Sequence, residues 1–205
     1  MGRYLVTVAQ FRAFVEATDF VGVTADALRD PDSRPVRYVN WHDALAYCDW
    51  LNTQFATLPA LADSDVARLV RESQWRVTLP SELEWEKAAR GNVRNKIFPW
   101  GDEPDTKCAN YAGTGIGTTS AVGCFPENGL GLLDMSGNVW EWTRSRLEPY
   151  PYEIDDGREE LESNKEEWRV VRGGGFLFHL GYARCAARLR FHPGNRHGRD
   201  RKSVV

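Results

Sequence analysis

Gly137-Asn138-Val139-Trp140-Glu141-Trp142 and, further on, Arg172-Gly173-Gly174-Gly175 are the stretches on which the fold turns. The first sets two indoles around a carboxylate beside a Gly-Asn turn. That pattern suits a rigid cage of backbone and carboxylate oxygens walled by buried rings. The second opens a segment, Phe176 to Arg201, that is rich in aromatic, His and Arg side chains.

The chain's bulk agrees with a loop-rich fold pinned by such clusters. Its 205 residues can bury a sizeable core as one large or two small domains. Twelve per cent of them are aromatic, with 8 Trp, against 18 Gly and 10 Pro, which disfavours a helical bundle. A net charge of -3 gives no reason to expect nucleic acid or a membrane surface as partner. The charge is uneven: Glu153 to Glu167 is acidic, while Arg169 to Lys202 carries nine cations against Asp200. Either the two segments neutralise each other, or the second is a functional basic surface.

Cys48, Cys108, Cys124 and Cys185 form no CxxC and read as thiols of a reducing compartment, with a Cys108–Cys124 bridge left open. No apolar run approaches 18 residues and no signal peptide is visible, so no membrane span and a cytoplasmic location are expected.

Thr7 with Gln10 reads as a capping box ahead of Phe11, Phe14 and Val15 at helical spacing. Asn40 with Asp43 repeats it ahead of Ala44, Leu45, Tyr47, Cys48 and Leu51. Ser81 with Glu84 opens a third helix, Glu82 to Arg90, stopped by Gly91. Thr57 to Arg71 reads as a further short helix or an insertion. Gln74 to Thr78, Arg169 to Arg172 and Ala183 to Leu189 read as strands. Turn residues punctuate Pro99 to Asn138, predicting long ordered loops. No repeat or linker divides the chain, so a single α+β domain over residues 1–205 is expected.

Six motifs occur in order: Tyr4-Leu5-Val6-Thr7-Val8-Ala9-Gln10-Phe11, Val39-Asn40-Trp41-His42-Asp43-Ala44, Leu79-Pro80-Ser81-Glu82-Leu83-Glu84-Trp85-Glu86-Lys87-Ala88-Ala89-Arg90-Gly91, Pro99-Trp100-Gly101, Gly137 to Trp142, and Arg172-Gly173-Gly174. Together they strongly resemble the formylglycine-generating enzyme (sulfatase-modifying factor) domain family, over essentially the whole chain. The resemblance implies a C-type-lectin-like α+β fold: a small twisted antiparallel sheet, two or three helices and long ordered loops. The chain begins inside the family's usual first motif, so an N-terminal domain fused ahead of it is expected.

The family's oxidase binds copper through two Cys just after Arg-Gly-Gly. Laid on this chain, those positions fall near Phe178 and Ala183, neither of which is Cys. Cys185 lies in Arg184-Cys185-Ala186-Ala187-Arg188, a stretch that is structural in the family. One thiolate cannot supply the paired soft ligation that Cu(I) favours, so no copper and no oxidase chemistry are expected. The 137–141 run resembles the family's structural calcium site. Asp134 and Glu141 would give carboxylate oxygens, and Gly137 and Val139 backbone carbonyls, a hard-oxygen set suited to Ca²⁺. The competing reading is a Trp-lined turn in which Glu141 caps backbone amides.

In character the chain is closer to the variable proteins of diversity-generating retroelements, which share this domain and vary after Arg-Gly-Gly. Their adenine-directed mutator produces codons that cannot encode Trp, Met, Lys, Gln or Glu. None of the five occurs from Gly173 to Arg201, where composition elsewhere would place about five. The candidate variable, ligand-binding residues are Phe178, His179, Leu180, Gly181, Tyr182, Leu189, Arg190, Phe191, His192, Gly194, Asn195, His197, Gly198 and Arg199. Arg172, Arg184, Arg188, Pro193 and Arg196 form the expected frame.

The resemblance thus implies a non-catalytic display domain that recognises a protein or other macromolecular ligand through residues 173–201. The alternative is an oxygen-dependent oxidoreductase of the formylglycine-generating or sulfoxide-synthase-like type. A third reading is an accessory domain fused to a kinase or protease. His179, His192 and His197 lack the spacing of a zinc set, and His42, inside a helix, reads as a packed or capping side chain.

Overall fold

A computed structural model describes residues 1–91, 93–161 and 167–196. Its α-helices are α1 (Val8–Thr18), α2 (Trp41–Thr57), α3 (Asp65–Glu72) and α4 (Glu82–Arg90). Three strands, β1 (Glu141–Arg146), β2 (Arg169–Arg172) and β3 (Leu189–Phe191), form one antiparallel sheet in that order. The rest is loop and short 3₁₀ turns, so the α+β expectation holds. No helix among the described residues is long and apolar enough to cross a membrane.

The helix starts follow the predicted caps. Thr7, Asn40 and Ser81 each accept the amide of the residue three positions on. Gln10, Asp43 and Glu84 return the bond to the cap backbone, so two orphan donors are satisfied per helix. Helix α4 ends at Gly91 as expected. The Ala- and Leu-rich stretch resolves into a 3₁₀ turn, Pro59–Leu61, and α3, a fourth helix where the resemblance implied two or three.

Two strand expectations fail, for local reasons. Gln74 to Thr78 is irregular, because the Asn52 side chain takes the place of a neighbouring strand. Its Oδ1 accepts the Val77 N–H at 2.7 Å and its Nδ2 donates to the Val77 carbonyl at 2.9 Å. Ala183 to Leu189 is a turn: Ala187 N–H bonds the Arg184 carbonyl and Cys185 N–H is drawn to the Ile97 carbonyl. Pairing with β2 begins only at Leu189, opposite Val171.

The main core joins α1, α2 and the sheet. Val8, Phe11 and Phe14 from α1 meet Trp41, Ala44, Tyr47 and Cys48 from α2, then Trp140, Trp142, Val171 and Phe191. Two indoles staple helix to sheet in both directions. Trp41 Nε1 donates to the Thr143 carbonyl at 3.0 Å, and Trp142 Nε1 to the Val39 carbonyl at 3.1 Å. Each such buried ring contributes roughly 4–6 kcal/mol of hydrophobic transfer. A smaller cluster of Trp85, Ala89, Met135 and Cys185 packs under α4.

Candidate functional site

Two features stand out around the sheet's end. The first is a knot of loops at Gly137. Gly137 N–H donates to the Gly173 carbonyl at 2.8 Å, and Asn138 N–H to the Asn110 carbonyl at 2.7 Å. The Asn138 side chain then brackets Ser120, accepting its N–H at 3.0 Å and donating to its carbonyl at 3.2 Å. Residue 137 must be glycine. Its φ is +75°, and an added Cβ would collide with the Asn110 carbonyl oxygen, with the carbonyl carbon at 2.8 Å.

All four candidate metal residues lie in this knot and the start of β1. Glu141 is 6% exposed, and its Oε1 has no hydrogen-bond partner. Burial pushes its carboxyl up to about 8, and the nearby Asp134 charge adds to the rise. The Trp85 indole faces the carboxylate and lowers it somewhat, without a hydrogen bond of good geometry. The Asp134 carboxyl is also raised by burial, against the Gly123 N–H that its Oδ2 accepts at 2.6 Å.

The calcium implied by the resemblance fits these residues in part. Glu141 Oε1, buried and unbonded, is an oxygen that a divalent cation would satisfy. Asp134 Oδ2 is already engaged. Among the described residues no group of three or more His, Cys, Asp or Glu side chains is arranged to hold a metal. Carbonyls such as those of Gly137 and Val139 would have to complete the shell. Bound there, calcium would neutralise two neighbouring carboxylates and stiffen residues 134–141.

The second feature is the segment after Gly175. Phe178 is half-buried, edge-on to Trp140 at 5.3 Å and to Tyr182 at 5.4 Å. His179 is exposed and precedes the 3₁₀ turn Leu180–Ala183, with its ring 4.7 Å from that of Tyr182. Leu180, Gly181 and Tyr182 are half-buried. Arg190 is exposed and lies over the Trp168 ring at 5.3 Å, and His192 meets the same ring edge-on. Gly194 is exposed and Asn195 half-buried.

One candidate contact is a core residue instead, and a second is packed against that core. Phe191, 8% exposed, sits against Trp140 and Trp142, and Leu189 packs against the same cluster. The β3 pleat turns Arg190 outward and its two neighbours inward. His197, Gly198 and Arg199 lie outside the described residues.

The expected frame is mostly anchored. Arg172, fully buried, donates to Glu86 Oε2 at 2.5 Å and to the Cys185 carbonyl at 2.9 Å. Arg188 reaches Glu82 Oε1 at 2.6 Å and the Glu148 carbonyl at 3.0 Å. The Pro193 carbonyl accepts the Trp41 N–H at 3.0 Å, and Arg196 forks onto Asp43 at 2.8 and 2.5 Å. Arg184 departs from the pattern: it is exposed, and among the described residues its side chain makes one hydrogen bond, from Nε to the Gly181 carbonyl at 3.0 Å. Between these anchors opens a cleft of about 350 Å³, lined by His179, Gly181, Tyr182, Arg184, Ala187 and Arg188 among others.

The profile of the "Sulfatase-modifying factor enzyme 1-like domain" family matches residues 1–199. The chain belongs to this family. The bovine (Bos taurus) formylglycine-generating enzyme is 31% identical over 192 residues, covering 84% of this chain and 43% of that protein. The bovine "Inactive C-alpha-formylglycine-generating enzyme 2" is also 31% identical, over 180 residues, covering 82% of this chain and 47% of that one. The chain therefore spans about half the length of these relatives. Among solved structures, Treponema denticola variable protein 1 superposes with a TM-score of 0.67 at 22% identity, over 94% of this chain and 80% of that one. The fold is thus the lectin-like α+β fold of this family.

Set in that family, Cys185 is 0% exposed, and burial pushes its thiol up to about 11. A buried thiol raised in this way is protonated at neutral pH, which disfavours thiolate chemistry. All four cysteines are free, Cys108 and Cys124 included. His42 packs edge-on to Trp41 at 5.3 Å.

One charged cluster escaped the sequence reading. Glu82 is 0% exposed and faces three guanidiniums: Arg188 at 2.6 Å, Arg158 at 3.6 Å and Arg172 at 4.0 Å. Burial raises its carboxyl, while Arg188, Arg172 and Arg158 oppose the rise. The signal was periodicity: Glu82, Trp85 and Ala89 share the buried face of α4. The acidic segment, for its part, supplies Glu159 and Glu167 to Arg144 and Arg146 of β1.

Proposed function

We propose that this domain is a non-catalytic scaffold that holds its C-terminal segment as a binding face for a macromolecular ligand, a protein above all. The observation that carries this reading is the division of labour within the segment. Arg172, Arg188, Pro193 and Arg196 are tied to the body, while His179 and Arg184 are exposed in the lining of an open cleft and Arg190 and Gly194 are exposed elsewhere in the segment. Such a face can change side chains without disturbing the core. The shared fold with the Treponema variable protein supports the scaffold role. The cytoplasm is the proposed location, and calcium at Glu141 a proposed structural staple.

The competing reading, an oxygen-dependent oxidoreductase, draws on the 31% identity to the bovine formylglycine-generating enzyme. The buried thiol of Cys185 and the packed ring of Phe178 favour the scaffold. The deciding experiment supplies copper and a cysteine-containing peptide in air. The domain is expected to consume no oxygen above the buffer rate. Turnover that disappears in Cys185→Ser would overturn the scaffold reading. A template copy of the coding segment for 172–205, differing only at adenines beside a reverse transcriptase gene, is the expected genomic mark.

A further inference from the structure

The cleft at the Leu180–Ala183 turn has an organiser, the backbone of Gly181. Its N–H donates to His179 Nδ1 at 3.0 Å, while its carbonyl accepts Arg184 Nε at 3.0 Å. The first bond uses Nδ1 as its acceptor and so leaves Nε2 as the imidazole nitrogen available to donate. The second holds the guanidinium by its inner nitrogen and leaves both Nη groups for an outside acceptor. Residue 181 can do this because it is glycine: a Cβ there would lie 2.6 Å from His179 Cε1. Tyr182 stands beside the imidazole and supplies an aromatic wall.

Among the described residues no carboxylate lines this cleft and none pairs with Arg184. Arg188 also lines it, but its charge is taken by Glu82. The cleft thus presents one uncompensated guanidinium fork, one imidazole N–H and an aromatic ring. Planar carboxylate is the group that matches a guanidinium fork in two parallel hydrogen bonds.

We propose that the cleft between His179 and Arg184 is an acidic-peptide site, in which a Glu or Asp side chain of a protein partner docks on Arg184 and His179 against Tyr182. The proposal rests on the binding-face reading and gives that face its ligand class.

The test titrates the intact domain with three capped hexapeptides, Glu-rich, Gln-rich and Lys-rich, followed by NMR shifts at Gly181 and Ala187 and by calorimetry. The Glu peptide is expected to shift both residues and to bind at least about tenfold tighter than the Gln peptide. Raising salt from 50 to 500 mM weakens it, since the contact is exposed to screening. Arg184→Glu abolishes the binding, Arg184→Lys retains part of it, and Arg190→Glu, outside the cleft lining, changes it less than threefold. Equal binding of the Glu and Gln peptides, or tighter binding of the Lys peptide, overturns the acidic class and leaves the binding face standing. No shift with any peptide at millimolar concentration overturns the proposed site, and the oxygen assay then judges the parent reading independently. A similar loss in Arg184→Glu and Arg190→Glu also overturns it, by reducing the effect to general surface charge.

Discussion

Replacing Gly137 by Ala isolates what the knot of loops contributes to stability. A left-handed φ costs a non-glycine residue about 1–2 kcal/mol. The stiffer unfolded chain returns about 0.4–1 kcal/mol of that. Gly115 has a similar φ of +70°, with nothing within 4 Å of an added Cβ. Gly115→Ala should therefore cost only about 1 kcal/mol. At Gly137 the new methyl must also push away the Asn110 peptide, whose carbon and nitrogen would lie at 2.8 and 3.0 Å. That movement breaks the 2.7 Å bond from Asn138 N–H to the Asn110 carbonyl and loosens the Asn138 bracket on Ser120. With about 1 kcal/mol net for each buried bond, Gly137→Ala comes to about 3–5 kcal/mol. For a chain of this size that is a fall in Tm of about 6–20 °C, against about 2–4 °C for Gly115→Ala. Urea unfolding with unchanged m, read beside calorimetric Tm, measures both. Equal costs for the two variants, within about 0.5 kcal/mol, would refute the close approach at Asn110.

Further outcomes follow from the same contacts. CaCl₂ at 100-fold excess over Kd should stabilise by about 2.7 kcal/mol, raising Tm by about 5–11 °C, and a chelator should reverse it, with the response absent in Glu141→Gln. Arg196→Ala removes the two bonds to Asp43 and should cost about 1–2 kcal/mol in urea unfolding, discounted because the guanidinium is 31% exposed. Asn52→Ala frees Val77 from both its bonds and should cost about 1–3 kcal/mol, with faster hydrogen exchange at Val77. Cys48 and Cys185 have thiols raised to about 12 and about 11 by burial. At pH 8 a maleimide should therefore label exposed Cys124 within minutes and those two only after unfolding. Because the folded state raises these thiol pKa values, their stabilising effect is present below the unfolded value near 9 and is lost as pH climbs towards 11–12.

Where local chemistry decides the outcome, the sequence spoke clearly. Thr7–Gln10, Asn40–Asp43 and Ser81–Glu84 are self-contained caps, and each helix begins where its box stands. Arg169 to Arg172 was legible because its four residues are buried on both faces of a central strand. Gln74 to Thr78 misled because its partner is a side chain from α2, far off in sequence. Ala183 to Leu189 misled because Ile97 and Arg184 claim its amides. At the site, Arg172, Arg188 and Arg196 could be named as anchors but not their acids, and exposed Arg184 is not an anchor. Glu82, Glu86 and Asp43 sit on helices whose faces are oriented only by tertiary packing. Phe191 was misjudged for the same reason, since one pleat separates a displayed side chain from a core one.

The Pro193 carbonyl and Arg196 both close on the first turn of α2. The segment after β2 is thereby clamped downstream as well as upstream, where Arg172 closes the strand. Its conformational freedom is spent during folding and no longer at the moment of encounter. Under the proposed binding role, a partner that fits is then expected to arrive at an ordinary rate and leave slowly, so that substitutions between the clamps register chiefly as residence time.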